Sequence, residues 1–242
     1  MNNNFFEVKN VDFKAGGKTK VSNVSFVIEK EGDIICLLGP SGIGKTTILR
    51  TIAGLEKINN GSIALKGKIL SSEKENIEPE HRNISLAFQE NSLFPHYTVK
   101  KNILLGADRN KDKKNHQVSF EEIVKLLDIS FILNKYPHEI SAGEAQRASL
   151  ARSLISQPDL LLLDEPLSNV DQSFKEEIQE KLKKTLKSSK ITTISVTHDS
   201  DEAFYLGSKC GIILNQELKQ FDDPYNVYHL PNSVEVVNFL NR

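Results

Sequence analysis

The chain has 242 residues, 38% of them hydrophobic and 26% charged, which is ordinary for a globular fold with a substantial core. Its 31 basic and 32 acidic residues leave a formal net charge of −1, which gives no support for binding nucleic acid or an anionic membrane. No apolar stretch approaches the ~20 residues needed to span a bilayer, and the start at Met1-Asn2-Asn3-Asn4 has neither the basic nor the apolar segment of a secretory signal. The chain is therefore expected in the cytoplasm, and any work at a membrane requires docking onto another polypeptide.

Residues 5–31 alternate as strands do, with Val24, Phe26 and Ile28 on one face, Ser25 and Val27 on the other, and a hairpin turn at Gly16-Gly17-Lys18. Ile34–Leu38 is a continuous apolar run and reads as a buried strand. A glycine-rich loop follows, then helical spacing at Ile48, Leu49, Ile52 and Ala53, with Gly54 as a C-terminal cap. Asn59-Asn60-Gly61 is a turn before a strand at 62–65, 71–83 reads as a polar surface loop, and 84–88 reads as a short strand. Strand signals then stop. Helical spacing appears at 99–105, 120–127 and 141–155, interrupted by a charge-dense linker at 108–117. Leu160–Leu163 is another buried strand. A helix at 172–188 carries Phe174, Ile178, Leu182 and Leu186 on one face, and strands follow at 191–196 and 211–214. Strand–helix alternation at both ends implies a mainly parallel α/β sheet, with the helical middle inserted into it. Cys36 and Cys210 lie in apolar runs and read as core thiols.

The loop Gly39-Pro40-Ser41-Gly42-Ile43-Gly44-Lys45-Thr46-Thr47 sits between a strand and a helix, the setting of a phosphate-binding P-loop. Glycines let consecutive N–H groups face a phosphate chain, and the helix N-terminus adds partial positive charge. Lys45 supplies a full charge to the outer phosphates, and the Thr46 hydroxyl is placed to ligate Mg²⁺. The run Leu160–Leu163 ends in Asp164-Glu165-Pro166, which puts two acids at the carboxyl end of a strand, the ligand edge of an α/β sheet. Asp164 is suited to hold Mg²⁺ opposite Thr46, and Glu165 to polarise an attacking water. Ser141-Ala142-Gly143-Glu144 is, read locally, a capping box. The same hydroxyl, glycine N–H and helix start also form a second phosphate-binding surface, which implies a second nucleotide or another subunit's nucleotide.

Ile140-Ser141-Ala142-Gly143-Glu144-Ala145-Gln146-Arg147 resembles the signature of the ABC-transporter ATPases, usually Leu-Ser-Gly-Gly-Gln followed by a Gln-Arg pair. The other motifs are similar to that family's in order over nearly the whole chain: the P-loop, a Q-loop at Gln89, Asp164-Glu165, a D-loop at Ser168-Asn169-Val170-Asp171, and a switch histidine at His198. The resemblance implies an α/β fold with a RecA-like P-loop NTPase core, an N-terminal antiparallel β subdomain and a helical subdomain at about 90–157. The whole of 1–242 then forms one nucleotide-binding domain, with no C-terminal regulatory β-domain. It implies ATP and Mg²⁺ as cofactors and a head-to-tail dimer around two ATP molecules, either a homodimer or a pair with a related ATPase. Gln89 joins Thr46 and Asp164 as a metal contact, His198 supports the catalytic Glu165, Ser141–Glu144 acts on the partner's ATP, and Asp171 belongs to the D-loop. Three departures stand out. Ala142 adds a Cβ where a glycine is usual, Ala15 falls where an aromatic residue usually stacks on adenine while Phe13 is expected to face the core, and Ala145 replaces a polar residue.

A separate ATPase chain without membrane helices implies an importer, peripheral on the cytoplasmic face of the inner membrane. Its expected partners are two transmembrane permease subunits and, indirectly, an extracytoplasmic solute-binding protein; nucleic acid is not among them. Gln89–Val99 is similar to the Q-loop region of the iron, polyamine, thiamine and sulfate or molybdate importer group, and Tyr136-Pro137-His138-Glu139 and Glu165–Asn169 are most similar to ferric-iron importers. Two alternatives stay open: a soluble ABC ATPase outside transport, and a regulatory module that binds ATP but hydrolyses it poorly.

Overall fold

The structure, a computed structural model, describes residues 4–16, 18–87, 93–107, 118–168, 170 and 172–241. Gln89, Asn169, Asp171, the 108–117 run and the side chains of Ala15 and Phe174 lie outside the described residues. β1 (Phe6–Ala15) and β2 (Lys18–Ile28) form the expected antiparallel hairpin, with register shifts between Val8 and Lys14. β3 (Ile34–Leu38) shows why a continuous apolar run marks a central strand. Ile34, Cys36 and Leu38 enter one apolar cluster and Ile35 and Leu37 the other, so neither face meets water. Both cysteines are buried core residues, as read from the sequence.

α1 (Lys45–Ala53) packs Ile48, Leu49 and Ile52 into the second cluster and ends at Gly54, whose N–H reaches the Arg50 and Thr51 carbonyls. After it come β4 (Ser62–Leu65), β5 (Lys68–Ser72) and β6 (Ile84–Ala87). The helices α2 (Val99–Ala107), α3 (Phe120–Leu126) and α4 (Ala142–Ile155) form the insertion. A Cβ on Gly106 of α2 would lie 2.2 Å from the Arg152 carbonyl of α4, so these helices touch through backbone and only glycine fits there. β7 (Leu160–Asp164), α5 (Gln172–Ser188), β8 (Thr192–Thr197), α6 (Ser200–Leu206), β9 (Lys209–Leu214), β10 (Glu217–Asp222), α7 (Pro224–His229) and α8 (Val234–Leu240) complete the order.

Among the described residues, ten strands make one sheet in the order β5-β4-β1-β2-β10-β9-β3-β8-β7-β6. From β9 to β6 all neighbours run parallel; β10 turns back antiparallel to β9, and β1, β2, β4 and β5 form an antiparallel arm. The arm joins the parallel half through Glu217 of β10 opposite Ser22 of β2. The inserted helices share the core of the parallel half, since Ile103, Val124 and Leu154 lie in one cluster with Leu161 and Leu163.

Two sequence expectations need correction. The stretch 71–83 is not simply a polar surface loop: it begins inside β5 and contains a short 3₁₀ turn at Pro79–His81, and Arg82 is buried. The tail beyond Leu214, which carried no assigned element, forms β10, α7 and α8, anchored by Val227 and Val236. Among the described residues no helix is long and apolar enough to cross a membrane.

Candidate active site

The loop between β3 and α1 turns on Gly44, whose φ of 116° is a conformation that L side chains rarely adopt. No side chain caps the start of α1, so its first N–H groups face the loop with the positive end of the helix dipole. Lys45 is buried and lies across its own loop, donating to the Gly39 carbonyl at 2.6 Å and the Pro40 carbonyl at 3.0 Å. Its charge is therefore held inside the turn. Burial lowers the Lys45 pKa, and the negative charges of Glu165 and Asp164 oppose that shift. Pro40, Ser41, Gly42 and Thr46 are exposed, Ile43 is half-buried, and Thr47 is buried, its carbonyl accepting the Thr51 hydroxyl at 2.8 Å.

Opposite this loop, β7 ends at Asp164, one strand away from β3 across β8. The Thr46 hydroxyl donates to Asp164 Oδ1 at 3.2 Å, so these two residues meet directly. Burial raises the Asp164 pKa; the Thr46 hydrogen bond and Lys45 oppose that, and Glu165 adds to it. A hydroxyl and a buried carboxylate are hard oxygen donors. They suit a small divalent cation that takes its remaining ligands from phosphate and water.

Glu165 has a φ of 47°, outside the strand conformation of β7, and its N–H donates to the Val196 carbonyl at 3.0 Å. This turn aims its carboxylate at His198, whose Nδ1 lies 3.2 Å from Glu165 Oε1. His198 is 55% exposed and Glu165 14%, so the pair sits at the mouth of the site. Ser141 accepts from the Glu144 N–H at 3.3 Å while Glu144 Oε2 accepts from the Ser141 N–H at 2.7 Å, the expected capping box. That engagement holds the Glu144 carboxyl below its usual range. Ser141 and Ala142 are exposed, and none of the described hydrogen bonds or ion pairs joins Ser141–Glu144 to the Gly39–Thr47 loop. Phe13 is fully buried, so it faces the core as expected.

Residues 21–168 match the sequence profile of the ABC transporter family. The chain belongs to that family. It is 36% identical to the Fe(3+) ions import ATP-binding protein FbpC 2 of Haemophilus influenzae, an alignment covering 100% of this chain and 68% of that protein. It is 38% identical to the spermidine/putrescine import ATP-binding protein PotA of Chromobacterium violaceum, over 98% of this chain and 64% of that protein. The chain therefore spans about two thirds of the length of these curated relatives. A dimeric ATP-binding cassette, MJ0796, solved in a post-hydrolysis state with ADP and Pi, superposes with a TM-score of 0.76 at 26% identity. That superposition covers 90% of this chain and 98% of the other. The chain is thus an ATPase cassette of the ABC type.

Two residues of this cassette make contacts that the motif reading did not assign. Gln146, inside the signature stretch, donates through Nε2 to the Glu165 carbonyl at 2.7 Å, joining α4 to the end of β7. Lys175 of α5 bridges Asp199 at 2.5 Å and the buried Glu202 at 3.5 Å, directly after His198. The sequence marks Gln146 only as the first member of the Gln-Arg pair that follows the signature, with no hint of what it holds. The Lys175 bridge joins elements far apart in sequence and leaves no local signal.

Proposed function

We propose that this cassette hydrolyses Mg²⁺-ATP in a head-to-tail dimer and drives solute uptake, with ferric iron as the solute. The observation that carries the hydrolytic reading is the pairing of Glu165 with His198 beside the Thr46–Asp164 contact. The Gly39–Thr47 loop binds the triphosphate through its N–H groups and Lys45. Thr46 and Asp164, with Gln89, would hold Mg²⁺, which would supply positive charge to the phosphate oxygens. Glu165 accepts a proton from the attacking water while the water oxygen bonds to the γ-phosphorus and the bond to ADP breaks. His198 holds the Glu165 carboxylate in line. Ser141, Ala142, Gly143 and Glu144 of a second chain, with Asp171 at the dimer seam, complete the site. Two transmembrane permeases, served by an extracytoplasmic solute-binding protein, would anchor the dimer peripherally on the cytoplasmic face of the membrane.

The solute rests on the relatives' names. FbpC proteins at 34–36% identity support ferric iron, and PotA proteins at 38% support a polyamine as the second reading. Glu165→Gln keeps the shape of the site but removes the base, and kcat is expected to fall about 10²–10⁴-fold. A wild type no faster than this variant would sink the hydrolytic reading. Expressed with its cognate permease subunits, the wild type is expected to raise uptake of radiolabelled ferric iron and not of spermidine. The reverse result would assign the polyamine.

A further inference from the structure

The Glu165 carbonyl is unusually well held. It accepts from Gln146 Nε2 at 2.7 Å, from the Ser168 hydroxyl at 3.1 Å and from the Ser168 N–H at 3.2 Å. Gln146 Nε2 also lies 3.3 Å from Ser168 Oγ, so the three groups close a small network. On the other side of the same residue, the Glu165 N–H is fixed to β8 through Val196. A left-handed backbone costs an L residue about 1–2 kcal/mol, and it persists only where its surroundings over-determine it. Here the surroundings are β8 on one side and α4 with Ser168 on the other. Gln146 is 6% exposed, and a buried amide donor with this geometry is committed to its acceptor. It lies on the helix whose exposed N-terminus carries Ser141 and Ala142, within two turns of that end.

We infer that Gln146 is a positioning residue for the Glu165 carboxylate. It holds the left-handed turn that aims Glu165 at His198, and it mechanically ties the signature end of α4 to the hydrolytic residue of the same chain. The second part rests on the proposed head-to-tail dimer: closure of Ser141–Gly143 on one nucleotide is then felt at the glutamate facing the other. The first part does not need the dimer.

Gln146→Met and Gln146→Glu keep the side chain's length and remove the amide donor. Each is expected to lower kcat by about ten- to a hundredfold, the cost of a misplaced catalytic group, with KM for ATP and ATP affinity within twofold of wild type. Ser168→Ala, at an exposed position, is expected to lower kcat in the same direction by less. The decisive arm repeats Gln146→Met in a Glu165→Gln background under single-turnover conditions. A residue acting through Glu165 has nothing left to position there, so no further loss is expected. An unchanged kcat in both Gln146 variants, an equal fractional loss in the Glu165→Gln background, or a loss of ATP binding that parallels the loss of rate would each overturn the inference. The Glu165→Gln chain alone reports on the hydrolytic reading, so failure of that reading is seen separately.

Discussion

Arg82 is surrounded by carbonyls. Its Nε donates to Ile77 at 2.7 Å, Nη1 to Ile52 at 2.7 Å, and Nη2 to Leu70 at 3.1 Å and to Ser71 Oγ at 2.7 Å. The Ile52 contact, with Thr51 at 3.3 Å, satisfies carbonyls at the C-terminal end of α1, where a positive charge also meets the negative end of the helix dipole. Burial pushes the guanidinium down to about 10, with Glu78 opposing the shift. Removing it strips the guanidinium donors from the Ile52 and Ile77 carbonyls, while Leu70 and Thr51 keep the Ile77 and Gly54 N–H groups, a cost of about 3–5 kcal/mol. Arg82→Ala should lower the melting temperature by roughly 6–15 °C, and Arg82→Lys should recover little, since an ammonium lacks the fork that spans these acceptors. A calorimetric shift under 2 °C for the alanine variant would show that the network is not holding α1. Arg82 was invisible in the sequence because it ends a run of charged residues that otherwise face solvent. Lys45, Thr46, Asp164 and Glu165 were singled out for the opposite reason: each sits where a strand ends or a helix begins, and the chemistry restricts the residue type; His198 was singled out only by the family resemblance.

At the scale of elements, β3 and β7 announced themselves because both faces are buried, which leaves an unbroken apolar run; β8 is equally buried but alternates Ile194 and Val196 with threonine and serine. β5 and β10 did not, because partly exposed strands carry lysine, glutamate and serine on their open sides. α6 shows a further effect of burial. Glu202 is 3% exposed, and its Oε1 has no hydrogen-bond partner among the described residues. Burial raises its pKa to about 7; Lys175 of α5 opposes this, Asp199 adds to it, and His198 opposes it weakly. Cys36 of β3 also faces it, as a neutral thiol whose own pKa is raised by burial. A carboxyl raised above its unfolded value binds its proton more tightly in the folded chain. Its stabilising contribution is complete below the unfolded value of 4.5 and is lost as pH rises to about 7, a loss of about 3 kcal/mol. Asp199, held low by Lys175 and two backbone N–H groups against its own burial, acts below its ordinary 3.8 and outside this window. Glu202→Gln should therefore flatten the fall in stability between pH 5 and 8. Urea unfolding at both pH values measures it, and an unchanged difference would remove Glu202 as the cause.

Across the whole molecule, one sheet carries two cores. The P-loop, the acids of β7 and His198 after β8 lie together at the carboxyl ends of adjacent parallel strands, where side chains from separate elements converge. The signature stretch is placed differently. Ser141 and Ala142 are exposed at the start of α4, and their described hydrogen bonds stay within their own capping box. In the proposed dimer a second chain would close over this exposed stretch, which makes no described contact with the chain's own P-loop. The helix start suggested a second phosphate-binding surface, but the head-to-tail pairing came only from the family resemblance, because a capping box reads the same whether or not it binds anything. That pairing can be tested by separating folding from closure. In a Glu165→Gln background, ATP should convert the chain from monomer to dimer on size-exclusion chromatography with light scattering. Adding Ser141→Arg places a bulky cation on the exposed signature face and costs the cap only about 1 kcal/mol, so fold and ATP binding should persist while the dimer is lost. Equal dimerisation of both variants would exclude this face from the contact. A monomer in both, with ATP bound, would mean that the cassette pairs with a related ATPase and not with itself.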